Sequence, residues 1–452
     1  MESARARDES LLPEKNKLLR ILGVGFGLAI TIGAVIGGGV LRMPGIIAGH
    51  LGNDWLIIGI WIFGGMWALM GANIYSEFGT MLPEAGGPYV YLRRAYGDFV
   101  GFAGGLNDFI INICAVAYVS INVGEFSSAL FPSLSGNENI IAVVTILTLG
   151  LLNWLGLREG DFTQKLTSLI KVVAFFILIA ACFIFGSSGS NPSSESIVKF
   201  DNSFALFAAM MLSFQVVSEA YAGWNSIVYF SEENTNPSRN VPRSMFGGIL
   251  IIMAIYVLLN IALLYVLPIS QIAGSKMPGM DAAVIVFGNW GGKIINIVAL
   301  ISTLGVVNAL LLYAPRAPFA MSRDGLLPAQ LMKVNKGGTP SLALLLLVSF
   351  SIIAALSGSY ETFLAMAAFF SLVSDSFVYL ALFVLRRKEP DLPRPYRVFG
   401  YPFLPAIVLI IAIIFFVGYV VSNTLNSLYS IGILLLIYPL YLISKKLIAK
   451  GQ

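Results

Sequence analysis

Ile32-Gly33-Ala34-Val35-Ile36-Gly37-Gly38-Gly39-Val40 sits in the middle of an apolar run from residue 21 to 47. Three consecutive glycines offer no side chain to pack, and each weakens a helix interior by roughly 1 kcal/mol. At membrane depth, opened backbone survives only where protein buries it or where it lines a cavity. A second interruption, Ala220-Tyr221-Ala222-Gly223-Trp224-Asn225, falls inside the run 203–230. Matching interruptions in two halves of a membrane protein point to a transporter's substrate site near the midplane.

The composition agrees with a membrane chain. Of 452 residues, 57% are hydrophobic and only 12% charged, with a mean hydropathy of +0.83. A water-soluble surface needs more charge than this. Twelve runs are long enough to cross a bilayer. They lie near 21–47, 54–76, 99–123, 139–156, 163–186, 203–230, 245–268, 283–312, 341–357, 361–385, 402–422 and 427–447. The expected fold is therefore an all-α polytopic membrane protein with 12 transmembrane helices. The polar first twenty residues and the long first apolar run do not read as a cleavable leader. Cys114 and Cys182 lie inside spans and His50 is the only histidine, so neither a disulfide framework nor a metal cluster is expected. No GxxxxGK loop is present to bind a nucleotide, and no other cofactor is implied.

Charge placement orients the chain. Of 28 basic residues, 23 fall in loops on the N-terminal side, from Arg5 to Lys450, and three (Lys199, Lys276, Lys293) fall opposite. The positive-inside rule then puts both termini in the cytoplasm, as an even number of spans requires. A polar segment, 1–20, precedes the first span. Five spans (21–186) and a further five (203–386) each begin with an interrupted one, and an odd number inverts the second block relative to the first. This is the layout of a five-plus-five inverted repeat. Two helices, 402–447, follow the basic, proline-rich loop that starts Arg386-Arg387-Lys388-Glu389-Pro390. Gly186-Ser187-Ser188-Gly189-Ser190-Asn191-Pro192 has the composition of a flexible linker.

The interruptions themselves suggest the chemistry. Gly37, Gly38 and Gly39 expose backbone N–H groups at the start of a half-helix, which suits a carboxylate. Their alternative role is close helix packing. Carbonyls freed at Glu219, Ala220 and Ala222 suit an ammonium group, and a ligand spanning both breaks is an α-amino acid. Tyr221 and Trp224 either pack the break or gate it. Lys171, in span five, either snorkels to the interface or presents a fixed cation to the bundle interior. Arg42, four residues beyond Gly38, and Glu219 flank the cavity from its outer side and are expected to pair as a gate; Arg42 reaching the headgroups is the alternative, and Asp375 is a competing partner.

At these residues the chain resembles the amino acid–polyamine–organocation superfamily, in its L-type amino acid transporter-like branch. Residues 32–40 resemble the first-helix motif, with glycine where serine is usual. Residues 220–225 with Glu232-Glu233, Asn236-Pro237 and Arg239-Asn240-Val241-Pro242 resemble the sixth-helix signature. Pro83-Glu84-Ala85-Gly86-Gly87-Pro88-Tyr89, Arg323-Asp324-Gly325-Leu326-Leu327-Pro328 and Arg386-Arg387-Lys388-Glu389-Pro390 match its loops. The resemblance covers residues 20 to about 400. It implies a LeuT-like fold with alternating access, and substrate-binding backbone at Val35, Gly37, Gly38, Gly39, Glu219, Ala220 and Ala222, with Ile36 in the same break and Asn225 as the family's asparagine. It also places Lys171 where sodium-coupled relatives hold sodium, which implies a sodium-independent exchanger or proton-coupled permease. Glu219 departs from the family's aromatic gate.

The expected substrate is a neutral L-amino acid, carried across the plasma membrane; cationic amino acids or polyamines are the alternative. A non-transporting amino acid sensor is the rival from another class, and a membrane enzyme lacks a nucleophile–base pair. No cysteine lies between spans three and four, so no disulfide-linked heavy subunit is expected.

Overall fold

The computed structural model describes residues 18–186, 197–358 and 360–451. Most of the polar N-terminal segment and of the flexible linker lies outside the described residues. The chain is helical throughout, with no strands among the described residues. Ten helices are long and apolar enough to cross a membrane. The two remaining expected spans are shorter: the first is split by its break, and the ninth is Ser341–Ser357.

In chain order, α1 (Val24–Val35) and α2 (Met43–Leu51) flank the first break. They are followed by α3 (Asp54–Met81), a short α4 (Pro88–Tyr96) and α5 (Asp98–Leu130). Then come α6 (Glu138–Leu155), α7 (Leu157–Phe185) and α8 (Ser203–Ala220). The second half continues with α9 (Pro237–Val266), α10 (Ile269–Gly274), α11 (Pro278–Phe287) and α12 (Gly291–Tyr313). It ends with α13 (Arg316–Arg323), α14 (Ser341–Ser357), α15 (Tyr360–Lys388), α16 (Phe403–Ser422) and α17 (Thr424–Gly451).

Local chemistry sets these ends. Asn53 caps α3 by accepting from Trp55 N and Leu56 N at 3.0 and 3.1 Å, and Asn202 caps α8 through Ala205 N at 2.8 Å. Prolines open α2, α4, α9 and α11, where the missing N–H is no loss. Two expectations are corrected. The sixth span does not resume as an α-helix after its break: it continues as a 3-10 turn, Ser226–Phe230. The eighth does not start at 283, because Gly288, at φ 63°, separates α11 from α12.

The half-helix α1 lies at the centre, packed against α7, α9 and α12. It approaches α7 closely because Gly33 leaves its Cβ space to Gln164 and Ser168, and the Ser168 hydroxyl donates to Ala29 O at 2.8 Å. On the face where α1 begins, the loop motifs clasp one another. Glu232 accepts from Arg323 at 2.7 Å and from Ala85 N at 3.1 Å. Asp324 takes Tyr89 and Arg93. Glu77, fully buried in α3, accepts from Arg386, Arg394 and the Val398 N–H, which straps the loop after α15 to α3.

Candidate functional site

Helix α1 ends at Val35, Ile36 and Gly37 are extended, and a 3-10 turn over Gly38–Leu41 leads into α2. The glycine triplet thus breaks the helix where its cost is concentrated. The carbonyls released there have partners. Lys171 Nζ, wholly buried in α7, donates to Ile36 O at 2.8 Å, Gly33 O at 3.1 Å and Ser302 O at 3.1 Å. The lysine therefore does not snorkel: its ammonium ties α1 and α12 to α7. Two residues have to be small for this arrangement. Gly33 lets α7 approach, and a Cβ at Gly305 would stand 3.0 Å from Nζ.

The second break forms as α8 stops at Ala220 and Gly223 turns the chain at φ 101°. A Cβ at Gly223 would meet Ala34 O at 3.0 Å, so the glycine also lets the two breaks touch. The Tyr256 hydroxyl, from α9, lies 3.3 Å from Val35 O and 3.1 Å from Ala220 O and so links both breaks. Glu219 O already accepts from Ala222 N at 3.2 Å.

Some expected site residues are engaged differently. The Gly38 N–H donates to Thr303 Oγ1 at 3.1 Å, because the missing side chain lets α12 approach on one side while Phe126 of α5 fills the other. Gly37 and Gly39 are half-buried, and a Cβ at either would make only ordinary contacts. Tyr221 is packed: its hydroxyl donates to Trp61 O at 3.1 Å and its ring meets Trp61 and Tyr256. Arg42 is not paired with Glu219 here. It bonds Glu125 Oε2 at 2.8 Å and lies over the Phe126 ring at 5.0 Å. The reason is local: Phe126 occupies the space that Gly38 vacates, and this sets the preceding residue, Glu125, beside Arg42. Asp375, the competing partner, instead accepts from Tyr75 OH at 2.9 Å.

A cavity of about 590 Å³ lies against the second break. Glu219, Tyr221, Ala222, Trp224 and Asn225 line it. From the first break only Ala34 does; Val35, Ile36 and the glycine triplet do not, and neither does Ala220. Three acids face this cavity, Asp108, Glu219 and Asp375, and no lysine or arginine lines it. Asp108, Glu125, Tyr256 and Thr303 were not singled out from the sequence. For Asp108 a signal existed, an ionisable residue inside an apolar span; for Glu125, Tyr256 and Thr303 it did not.

Below the cavity, on the basic face, the entry is sealed. Leu22 N donates to Glu233 O at 3.0 Å and Thr235 N to Leu22 O at 2.8 Å, and Arg20 Nε reaches Asn234 O at 3.0 Å. Glu233 is itself buried and paired with Arg316, whose guanidinium lies 4.0 Å from the Phe230 ring centroid. Neither cysteine is bonded, and no cluster of acids, cysteines and histidine able to hold a metal occurs among the described residues.

A helix bundle with two apposed breaks, a cavity against the second of them and a seal on the basic face is what a permease requires, and the sequence comparisons give its lineage. The model of the family described as amino acid permease matches residues 27–440. The chain belongs to the amino acid permease family. It is 31% identical to the serine/threonine exchanger SteT of Bacillus subtilis (strain 168), over 96% of this chain and 98% of that protein. It is 27% identical to the b(0,+)-type amino acid transporter 1 of Mus musculus, over 90% and 84%. It is also 27% identical to the large neutral amino acids transporter small subunit 2 of Oryctolagus cuniculus, over 84% and 72%. The amino acid permease is therefore a multi-pass membrane transport protein of the L-type transporter-like branch, and not an enzyme.

Proposed function

We propose that this permease is a sodium-independent exchanger of L-α-amino acids that works by alternating access in the plasma membrane. The observation that carries the reading is Lys171. Its ammonium, held by carbonyls of α1 and α12, supplies in covalent form the positive charge that a bound sodium ion would otherwise bring to the unwound first helix. Twelve crossings, both termini in the cytoplasm, and a repeat of 21–186 against 203–386 are supported by the clustering of basic loops on one face.

The amino acid carboxylate lies toward the N–H groups of Gly37 and Gly39, with Gly38 reached through or past the Thr303 hydroxyl. Its ammonium takes carbonyls of the second break, and Asn225 faces the same cavity. Arg42 gates from the outer side by exchanging Glu125 for Glu219 as the cavity closes. A small or medium neutral side chain suits the Ala68, Ala115, Val306 and Leu310 surfaces of the lining. The second reading, a cationic amino acid, is favoured by the three carboxyls on the same cavity. No disulfide-linked subunit is part of the proposal, since both cysteines are buried in helices.

Counterflow of labelled L-threonine and L-arginine into proteoliposomes, with sodium replaced by choline, is the test. Exchange of threonine without sodium is expected. A strict sodium requirement refutes the role of Lys171, exchange of arginine alone refutes the neutral reading, and binding without any counterflow makes the protein a sensor.

A further inference from the structure

Asp108 lies ten residues into α5, about 15 Å from that helix's start on the basic face. It is 4% exposed and borders the cavity. One carboxyl oxygen accepts from Tyr229 OH at 2.5 Å. The other, Oδ2, is buried with no hydrogen-bond partner. No lysine or arginine forms an ion pair with it among the described residues. The titratable groups that line the same cavity are all acidic or phenolic. Tyr229 comes from the 3-10 turn, Tyr313 from α12 with its ring 4.8 Å from that of Tyr229, Tyr75 from α3, Asp375 from α15 and Glu219 from α8. On α5 itself, Asn112 spends its amide on the Asp108 backbone carbonyl and Asn107 donates to Phe370 O.

A bare carboxylate in such a place has neither water nor a counter-charge, and burial of an uncompensated charge is strongly unfavourable. Neutralisation by a proton removes the charge and keeps the Tyr229 hydrogen bond. We propose that Asp108 binds the proton that couples amino acid movement to the pH gradient across the membrane, a role that rests on the transport reading above but adds an ion to it. The proton joins Oδ2 from the outer water when the cavity is open to that side, giving a neutral carboxylic acid as the site is enclosed. It leaves to the cytoplasm when the inner seal parts.

The position supplies the coupling. Tyr229 belongs to the inner continuation of the broken sixth span, and it is wedged against Gly87, where a Cβ would stand 2.8 Å from its ring. The same continuation runs on to Glu233 and Thr235, which hold Leu22 in the seal. Parting of Leu22 from 233–235 therefore moves Tyr229 off α5 and admits water to Asp108. A hydrated site favours the carboxylate and a sealed one the acid. This is the differential interaction that links proton occupancy to conformation. The substrate's own ammonium is served by carbonyls at the helix breaks, so it does not need this carboxyl.

The experiment uses purified full-length protein in proteoliposomes with a trapped pH-sensitive dye. External L-threonine is expected to acidify the interior, and uptake is expected to rise as the outer pH falls. Asp108→Asn should reduce substrate-driven acidification at least tenfold and leave any remaining threonine counterflow flat with pH. Tyr229→Phe keeps the carboxyl, so it carries the test if the asparagine variant fails to insert. By removing the hydrogen bond to the carboxyl, it should displace the pH profile of uptake by about one unit. Threonine counterflow without acidification overturns the proposal while leaving transport intact, and so does acidification that survives in Asp108→Asn. Arginine exchange that needs Asp108 but moves no protons assigns the carboxyl to a cationic side chain instead, which also overturns it. Absence of counterflow for both amino acids refutes the transport reading itself.

Discussion

Replacing Lys171 by methionine keeps most of the side chain's volume and removes its three donors. Gly33 O and Ile36 O, at the unwound end of α1, are then left without a partner in a buried place, whereas Ser302 O, inside α12, keeps its helical N–H donor. Each orphaned carbonyl costs about 1–3 kcal/mol, and the relief of a buried ammonium returns several kcal/mol. Two carbonyls come to roughly 2–6 kcal/mol, which the relief of the ammonium offsets in part, and the loss is carried by the joint between α1, α7 and α12 rather than by the bundle as a whole. Since 1.4 kcal/mol corresponds to a factor of ten, turnover should fall by about tenfold or more while the protein still inserts. Gly305→Ala provides a graded version, because its Cβ would crowd Nζ from 3.0 Å without removing it, and it should cost less than the methionine variant. The assay is threonine counterflow in choline medium, with size-exclusion profile and melting temperature measured on the same preparations. Wild-type turnover in Lys171→Met would refute the reasoning, as would a wild-type protein that moves nothing until sodium is added.

Three further outcomes follow from the same geometry. Gly38→Ala should weaken amino acid binding at least tenfold in a thermal-shift titration with little loss of insertion, because its Cβ would press on Phe126 and stand 2.9 Å from Thr303 Oγ1. Tyr256→Phe should lower stability by about 1 kcal/mol in denaturant titration, the usual net worth of one hydrogen bond, and should raise KM for threonine more than it lowers kcat, since the hydroxyl joins the two breaks. A double-mutant cycle on Arg42→Ala and Glu125→Gln should give a coupling of about 0.2–1 kcal/mol in melting measurements, because both side chains are about a third exposed and screened by water. The corresponding Arg42–Glu219 cycle should be near zero in this conformation and appear only in transport rate.

The breaks were legible because glycine and membrane physics leave little choice: three glycines at 37–39 and a turn glycine at 223 can open a buried helix only where something uses the opening. Lys171 was legible for the same reason, since a lone cation in an apolar span needs an acceptor. Its actual acceptors were not, because they are backbone atoms whose availability depends on how far α1 unwinds. The Arg42–Glu125 pair was not legible, because outward distance along one helix says nothing about which neighbouring helix arrives. Phe126 fills the Gly38 gap and brings Glu125, eighty-three residues away, to Arg42. Tyr256 and Thr303 carried no signal, being ordinary residues in helices that only the packing turns toward the breaks. Asp108 did carry one, an ionisable residue inside an apolar span.

Glu77 has a consequence for how the chain is made. Its carboxylate sits at the end of α3, and its first arginine partner, Arg386, follows 309 residues later. During synthesis α3 reaches the membrane while the guanidinium groups that neutralise it do not yet exist, and for the whole insertion of the intervening helices the nascent bundle holds an unmet acid near its basic surface. Closure of the strap over 386–398 is therefore among the last events of assembly. A chain truncated before Arg386 retains most of its helices but displays a free carboxylate at the rim of α3, a mark of incompleteness that cellular quality control can read without testing transport at all.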